Sequence, residues 1–331
     1  MTIRPRLWLL LCCALLIGTT PATQAQDYPN RPITMIVPFP AGGLTDVPAR
    51  VAATMMSEKM GQNLVVENKT GATGTIGAAF AARAAPDGYT LFANSLADAQ
   101  NIHFGPLTYS PVDDFAQIGW IVDGPPLVLI VNARLPYKSL AELIAAAKAN
   151  PKNVSFGTSG PASSPAMALA LLNMAAKIEI VAVPYRGSGD AAREVAGGAI
   201  QGAFAFFSQA KPLVDDGKVR ALAVAAPARV AGWPNVPTFQ ELGYKVDFRG
   251  FVGLSAPLNT PKPIVEYINK QLNAVVQSDA FKSRVAALGM TVPADNTPAK
   301  YDAFIRQEIV RQGEIAKLTK EAPPAPPAAQ R

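Results

Sequence analysis

Ile33-Thr34-Met35-Ile36-Val37-Pro38-Phe39-Pro40-Ala41-Gly42-Gly43-Leu44-Thr45-Asp46 holds a short apolar run, a loop of proline and glycine, and an acidic residue that opens a long amphipathic stretch, Val47–Met60. The pattern predicts a strand, a tight loop and a helix, with Asp46 as the helix cap and Gly61 as its stop. Outward from this unit the same alternation recurs. Strands are expected at Leu64–Val66, Thr90–Ala93, Leu127–Val131, Val154–Phe156, Glu179–Val183, Ala203–Phe206, Val219–Val224 and Phe251–Ser255. Helices are expected at Gly74–Ala84, Ser139–Ala149, Pro165–Ala176, Asp190–Ala196, Gln209–Asp216, Pro261–Ser278 and Pro298–Lys317. Such alternation builds mostly parallel sheets covered by helices, an α/β fold.

The chain has 331 residues, which favours two domains. Proline-rich stretches at Val122–Pro126 and Ala226–Pro237 divide the alternation near one third and two thirds of its length. They suggest a middle domain, residues 126–231, inserted into a first made of 26–125 and 232–318. The run Ala322–Ala329, half proline, is read with its neighbours as a disordered tail, residues 319–331. At the other end, Arg4 and Arg6 precede the apolar run Leu7–Ile17 and a polar stretch ending in Ala25. This is a signal for export, cleaved after Ala25. Cys12 and Cys13 both lie inside it, so the exported chain would hold no thiol chemistry and no disulfide. Cys12 follows Leu11 in the middle of the apolar run, which argues against lipidation.

Thirty basic residues against 24 acidic ones give +6, and losing Arg4 and Arg6 leaves +4. That surplus is too dilute for a nucleic-acid face. The lone histidine, His103, removes histidine-rich metal sites and makes any serine-histidine mechanism depend on one residue. Asp113-Asp114 and Asp215-Asp216 are adjacent pairs whose side chains point apart. Gly187-Ser188-Gly189 lacks the acid that a dinucleotide loop needs some 20 residues on. Neither a nucleophile elbow nor a phosphate loop is present. The sequence predicts no catalytic residue, no metal ligand and no cofactor.

Three loops combine glycine, hydroxyl residues and a following helix, a combination that turns backbone N–H groups toward an anion. They are Pro38–Asp46; Gly157-Thr158-Ser159-Gly160-Pro161-Ala162-Ser163-Ser164; and Pro184-Tyr185-Arg186-Gly187-Ser188-Gly189-Asp190. In the first, Phe39 could cover an apolar ligand body. The plain alternatives are a tight turn capped by Asp46, serines serving as N-caps, and a solvated Arg186.

At these loops the chain resembles the extracytoplasmic substrate-binding proteins of tripartite tricarboxylate transporters, the TctC or Bug family. The residues that carry the resemblance begin with Tyr28–Ile33, Val37–Asp46, Glu67-Asn68-Lys69 with Gly71-Ala72, and Pro86–Leu91. They continue with Val183–Gly187, Gly217–Ala223 and Pro234–Thr238, so that the likeness runs from about residue 28 to about residue 318. The resemblance implies a type II periplasmic binding protein fold: two doubly wound lobes that close on a ligand between them. It implies a periplasmic receptor, taken here as a monomer, that grips a small carboxylate for the membrane components of such a transporter. The implied contacts are Phe39, Ala41, Gly42, Gly43, Leu44, Thr45 and Asp46 from lobe one, with Ser95 nearby. Lobe two would add Thr158, Ser159, Ser163, Arg186, Gly187, Ala205 and Phe206.

Many members of that family carry an aspartate where this chain has Ala205-Phe206-Phe207-Ser208, and a histidine where it has Ala166. The change predicts a ligand with an apolar or aromatic body in preference to citrate or an amino acid. Two competing readings are a secreted hydrolase that uses Ser159 or Ser163 with His103, and a surface protein with an empty cleft.

Overall fold

The computed structural model describes residues 28–160, 163–185, 187–230 and 232–321. The expected export signal, residues 1–25, lies outside them, as do Arg186 and residues 322–331. Among the described residues nine strands form one sheet: β1 (Ile33–Val37), β2 (Leu64–Asn68), β3 (Thr90–Ser95), β4 (Phe115–Asn132), β5 (Ser155–Thr158), β6 (Val181–Pro184), β7 (Gly202–Phe206), β8 (Val219–Ala225) and β9 (Arg249–Pro257). The helices are α1 (Asp46–Met60), α2 (Thr75–Ala82), α3 (Leu96–Asn101), α4 (Leu140–Ala149), α5 (Ser164–Ala176), α6 (Ser188–Gly197), α7 (Phe207–Asp215), α8 (Lys262–Val276), α9 (Asp279–Ala286) and α10 (Pro298–Glu321).

Strand register divides the sheet into two groups that share β4. Parallel β2, β1 and β3 continue into β9, which pairs antiparallel with the first part of β4. Beyond Pro126 the same strand pairs with β7 and β8, and β7 leads to parallel β5 and β6. Gly124-Pro125-Pro126, which reads as a break, lies inside this 18-residue strand. The prolines fall at the irregularity where pairing skips from Asp123↔Phe251 to Pro126↔Arg249 and the strand changes partners, a place in a sheet that tolerates a missing N–H.

The return crossing falls later than the sequence predicts. Residues 232–248 stay with the second group: Trp233 packs against Phe207 at 4.7 Å between ring centroids, and Phe239 stacks on Phe204. The Phe239 amide also donates to the Val224 carbonyl of β8 at 3.0 Å. The chain rejoins the first group only at β9. At the far end, α10 extends to Glu321, past the point where the tail was expected to begin.

The helices form where apolar residues recur every three or four positions. On α8, Ile264, Val265, Ile268, Leu272, Val275 and Val276 face the sheet and share a core with β1, α1 and β9. Each such side chain, fully buried, stabilises the fold by about 1.5–3 kcal/mol. The second group is covered on one face by α4 and α5 and on the other by α6 and α7.

Candidate functional site

Both strand groups end at the crossing of β4. Ser95, the last residue of β3, is level with Val252 of β9, which is opposite Val122 of β4. Phe206, the last residue of β7, is opposite Leu127. Because β3 runs with β4 and β7 runs against it, their carboxyl ends approach the crossing from opposite sides. Five residues of strand, about 17 Å, separate them at roughly 3.3 Å per residue. The loops after β1, β3, β5, β6 and β7 lie at the edges where open α/β sheets take ligands.

After β1, the loop is held from within. Asp46 is 1% exposed and accepts from the Gly42 amide and from Arg50 Nε, both at 2.8 Å, and from Asn68 Nδ2 at 2.7 Å. Burial raises its pKa, but these partners outweigh burial and hold the carboxyl below its ordinary range. Asp46 is the first residue of α1 and not its cap, and it ties the loop shut. Gly42, at φ +77, and Gly43, whose amide donates to Pro40 O at 3.2 Å, spend their N–H groups inside the loop. The sequence offered Gly42, Gly43 and Asp46 as ligand contacts; the geometry gives them a structural task instead. Ala41 is exposed, Leu44 packs toward the core, and Phe39 is half-buried against Gly74, where any Cβ would come within 3.2 Å of its ring. Thr45 makes no side-chain cap; of the amides that open α1, Val47 donates to Gly43 O at 3.0 Å and Ala49 to Thr45 O at 3.4 Å, and Pro48 has none, which leaves the Asp46 amide without a partner among the described residues.

Ser95 behaves differently. Its amide donates to Asp98 at 2.8 Å, and its buried Oγ sits in the capping box that opens α3, facing Asp98. Asp98 also accepts from the Tyr109 hydroxyl at 3.1 Å. Burial dominates its titration and pushes its pKa up to about 6, against the pull of these hydrogen bonds. Beside it, Asn94, Gln117 and Ser255 form a buried polar cluster that the Tyr301 hydroxyl joins from α10.

In the second group Thr158, 3% exposed, ends β5, and its carbonyl accepts the Tyr185 amide at 2.8 Å. Ser159 is half-buried and makes no internal hydrogen bond among the described residues. Ser163 is an N-cap: its hydroxyl donates to Gly160 O at 2.7 Å and accepts the Ala166 amide at 3.3 Å. That satisfies the hydroxyl internally, as the capping alternative predicts. Gly187 caps α6 in extended backbone with open space around it. Ala205 is fully buried in the core beneath α6 and α7, so its side chain does not reach a ligand. Phe206, half-buried at the strand end, faces the other way. Sequence reasoning overlooked Gln209, whose Oε1 joins the start of α6 to the start of α7. No spacing signal marks a glutamine that acts between two loops.

Among the described residues no group of His, Cys, Asp or Glu is suited to hold a metal ion, and no helix is long and apolar enough to cross a membrane. His103 Nε2 donates to the Ile309 carbonyl of α10 at 2.7 Å, and Ser163 is committed to its cap, so no serine-histidine pair forms between them. Two surface depressions of about 470 and 690 Å³ open elsewhere, beside Ile76 and Phe80 and beside Gln117 and Arg306; neither includes a residue of the five loops.

The sequence model of the "Tripartite tricarboxylate transporter family receptor" matches residues 48–320. Protein BugT of Bordetella pertussis is 35% identical, over 91% of this chain and 93% of its own. Among solved structures, R. palustris Rpa4515 with adipate is 30% identical with a TM-score of 0.78, covering 89% of this chain and 99% of that one. MatC (Rpa3494) from Rhodopseudomonas palustris with bound malate is 31% identical with a TM-score of 0.74, covering 87% and 100%. The architecture is that of a periplasmic binding protein, and the matched family is one of receptors. With the family model spanning most of its length and such relatives matching end to end, this chain belongs to the TctC family of solute-binding receptors.

Proposed function

We propose that the protein captures a small carboxylate between two lobes, made of the two strand groups, and delivers it in the periplasm to the membrane components of a tripartite tricarboxylate transporter. The observation that carries this reading is the meeting of strand ends at β4, with neutral donors on both sides and no uncommitted acid in the described loops. Asp46 has three partners, Asp98 is buried behind Ser95, and Asp190 is paired with Arg193. What remains is Ser95, Thr45, the Asp46 amide, Thr158 and Ser159. Such donors stabilise a carboxylate without a neighbouring cation. Phe39 and Phe206 supply apolar surface for the ligand body, and a single chain provides the whole site, so a monomer suffices. The bound adipate and malate of the two R. palustris relatives support the carboxylate class.

Titration calorimetry against adipate, terephthalate, benzoate, citrate and aspartate tests the reading. Adipate or an aromatic acid should bind tightest, with compaction in solution scattering as the lobes close. Tighter binding of citrate or aspartate overturns the apolar-bodied ligand, and silence across the panel overturns the carboxylate reading.

A further inference from the structure

Gln209 stands in the first turn of α7, beside the end of β7. Its Oε1 accepts the Ser188 hydroxyl at 2.8 Å and the Phe206 amide at 3.3 Å. Ser188 is itself only 6% exposed. The Phe206 amide fixes the way the side chain faces, because it can only donate: turning the side chain over would set NH₂ against that N–H, whereas the Ser188 hydroxyl could donate or accept. The outward end is therefore Nε2, with two N–H groups and no acceptor among the described residues, on a side chain that is half-exposed. Glycine at position 189 leaves room beside it: a Cβ there would stand 3.6 Å from Nε2. Asp190, in the first turn of α6, is already matched with Arg193.

We infer that Gln209 is a specificity-determining residue of the second lobe, whose pinned Nε2 donates to a second carboxylate on the ligand and disfavours an ammonium group in that place. The inference rests on the carboxylate reading above and adds to it that the preferred ligand carries an acceptor at each end. An amide held by two internal bonds needs no reordering on binding, so its donors discriminate more strongly than a mobile side chain would.

Gln209→Glu is the informative change. One carboxylate oxygen still accepts from Ser188 and Phe206, while the outward donor becomes a charged acceptor. Calorimetry with adipate, hexanoate and 6-aminohexanoate reads the outcome. The unaltered protein should prefer adipate to hexanoate by at least about tenfold and bind 6-aminohexanoate weakest. In Gln209→Glu the adipate affinity should fall by about 100-fold, hexanoate should stay within about threefold, and 6-aminohexanoate should become the best of the three. Gln209→Met, which removes donor and acceptor without adding charge, should bring the adipate-to-hexanoate ratio to about one, and it decides the matter if the Glu variant does not fold. An adipate-to-hexanoate ratio unchanged in either folded variant overturns the proposal, as does unaltered protein that binds none of the three ligands or does not distinguish adipate from hexanoate. Only silence across the whole carboxylate panel overturns the reading beneath it.

Discussion

Ser159 and Ser163 share a loop but not a role. Ser163 spends its hydroxyl on the Gly160 carbonyl and the Ala166 amide, whereas Ser159 keeps its own uncommitted among the described residues. Ser163→Ala should therefore lower stability by about 1 kcal/mol, the usual loss for an N-cap, with ligand affinity within about threefold. Ser159→Ala should do the reverse: a urea midpoint unchanged and affinity for the best-bound carboxylate weakened about tenfold or more. Urea melts and calorimetry on the two variants check both, and a stability loss at Ser159 without an affinity loss would sink the assignment. Asp46 shows the same commitment in charged form. Asp46→Ala leaves the Gly42 amide, Arg50 and Asn68 without their shared acceptor, so a loss of about 1–3 kcal/mol is expected. Because the folded carboxyl titrates below its ordinary value, its contribution is complete above about pH 4 and fades as pH falls further. The difference between variant and unaltered protein should accordingly shrink in acid. The sequence offered both roles without deciding between them: Gly42-Gly43, Asp46 and Ser163 have the same residue types whether they face a ligand or their own loop. What decides is where Asn68, Arg50 and Gly160 fall in space.

At the junction of β3 and α3 the linkage has the opposite sign. Asp98 titrates at about 6, well above an unfolded aspartate at about 4, so the folded state holds its proton more tightly. The resulting stability is present below about pH 4 and lost as pH rises to 6, a change on the order of 3 kcal/mol. Asp98→Asn keeps an oxygen for the Ser95 amide and removes the charge. Urea melts from pH 4 to 7 should show the variant gaining on the unaltered protein over this window; parallel curves would refute the buried charge. The same layer of the fold makes Gly253 of β9 a contact point for α10. A Cβ there would lie 1.7 Å from the Tyr301 hydroxyl and 2.7 Å from Asn94 Oδ1. Tyr301 is fully buried and cannot swing aside, so Gly253→Ala should destabilise by at least about 1–3 kcal/mol by forcing α10 off the sheet. Near-UV circular dichroism would register the shift through Trp120, which packs edge-on to Tyr301 at 4.7 Å. Element identity was largely legible, since each expected strand has its counterpart in the sheet. The exceptions are informative. Helices α3 and α9 span six and eight residues, too few for a periodic pattern, and the first part of β4 is obscured by glycine and prolines that look like a break.

For the whole molecule, what the sequence conveyed was the order of βα units and two interruptions; what it withheld was that the first interruption is a strand. That strand makes the crossing of β4 and β9 the place where both groups are joined, and glycines occupy it on both sides. They are not equivalent. A Cβ at Gly124 would stand 2.6 Å from the Gly250 carbonyl carbon and 2.8 Å from its oxygen, and backbone cannot give way as a side chain can. A Cβ at Gly250 would meet only Gly124 Cα, at 3.9 Å, an ordinary contact. Neither position has a left-handed backbone, so the difference is one of space alone. Gly124→Ala should push the strands apart at the crossing, lower stability by about 1–3 kcal/mol, and weaken ligand binding by misaligning Ser95 against Phe206. Gly250→Ala, which adds the same methyl group one strand away, should keep both within error of the unaltered protein. Urea midpoints and calorimetry on the pair isolate the crossing from any general effect of losing glycine. Equal behaviour of the two variants would mean that the strands slide freely past each other, and the geometry that brings the two sets of loops together would then have to be fixed elsewhere, with α10, which packs against both α3 and α5, the next element to test.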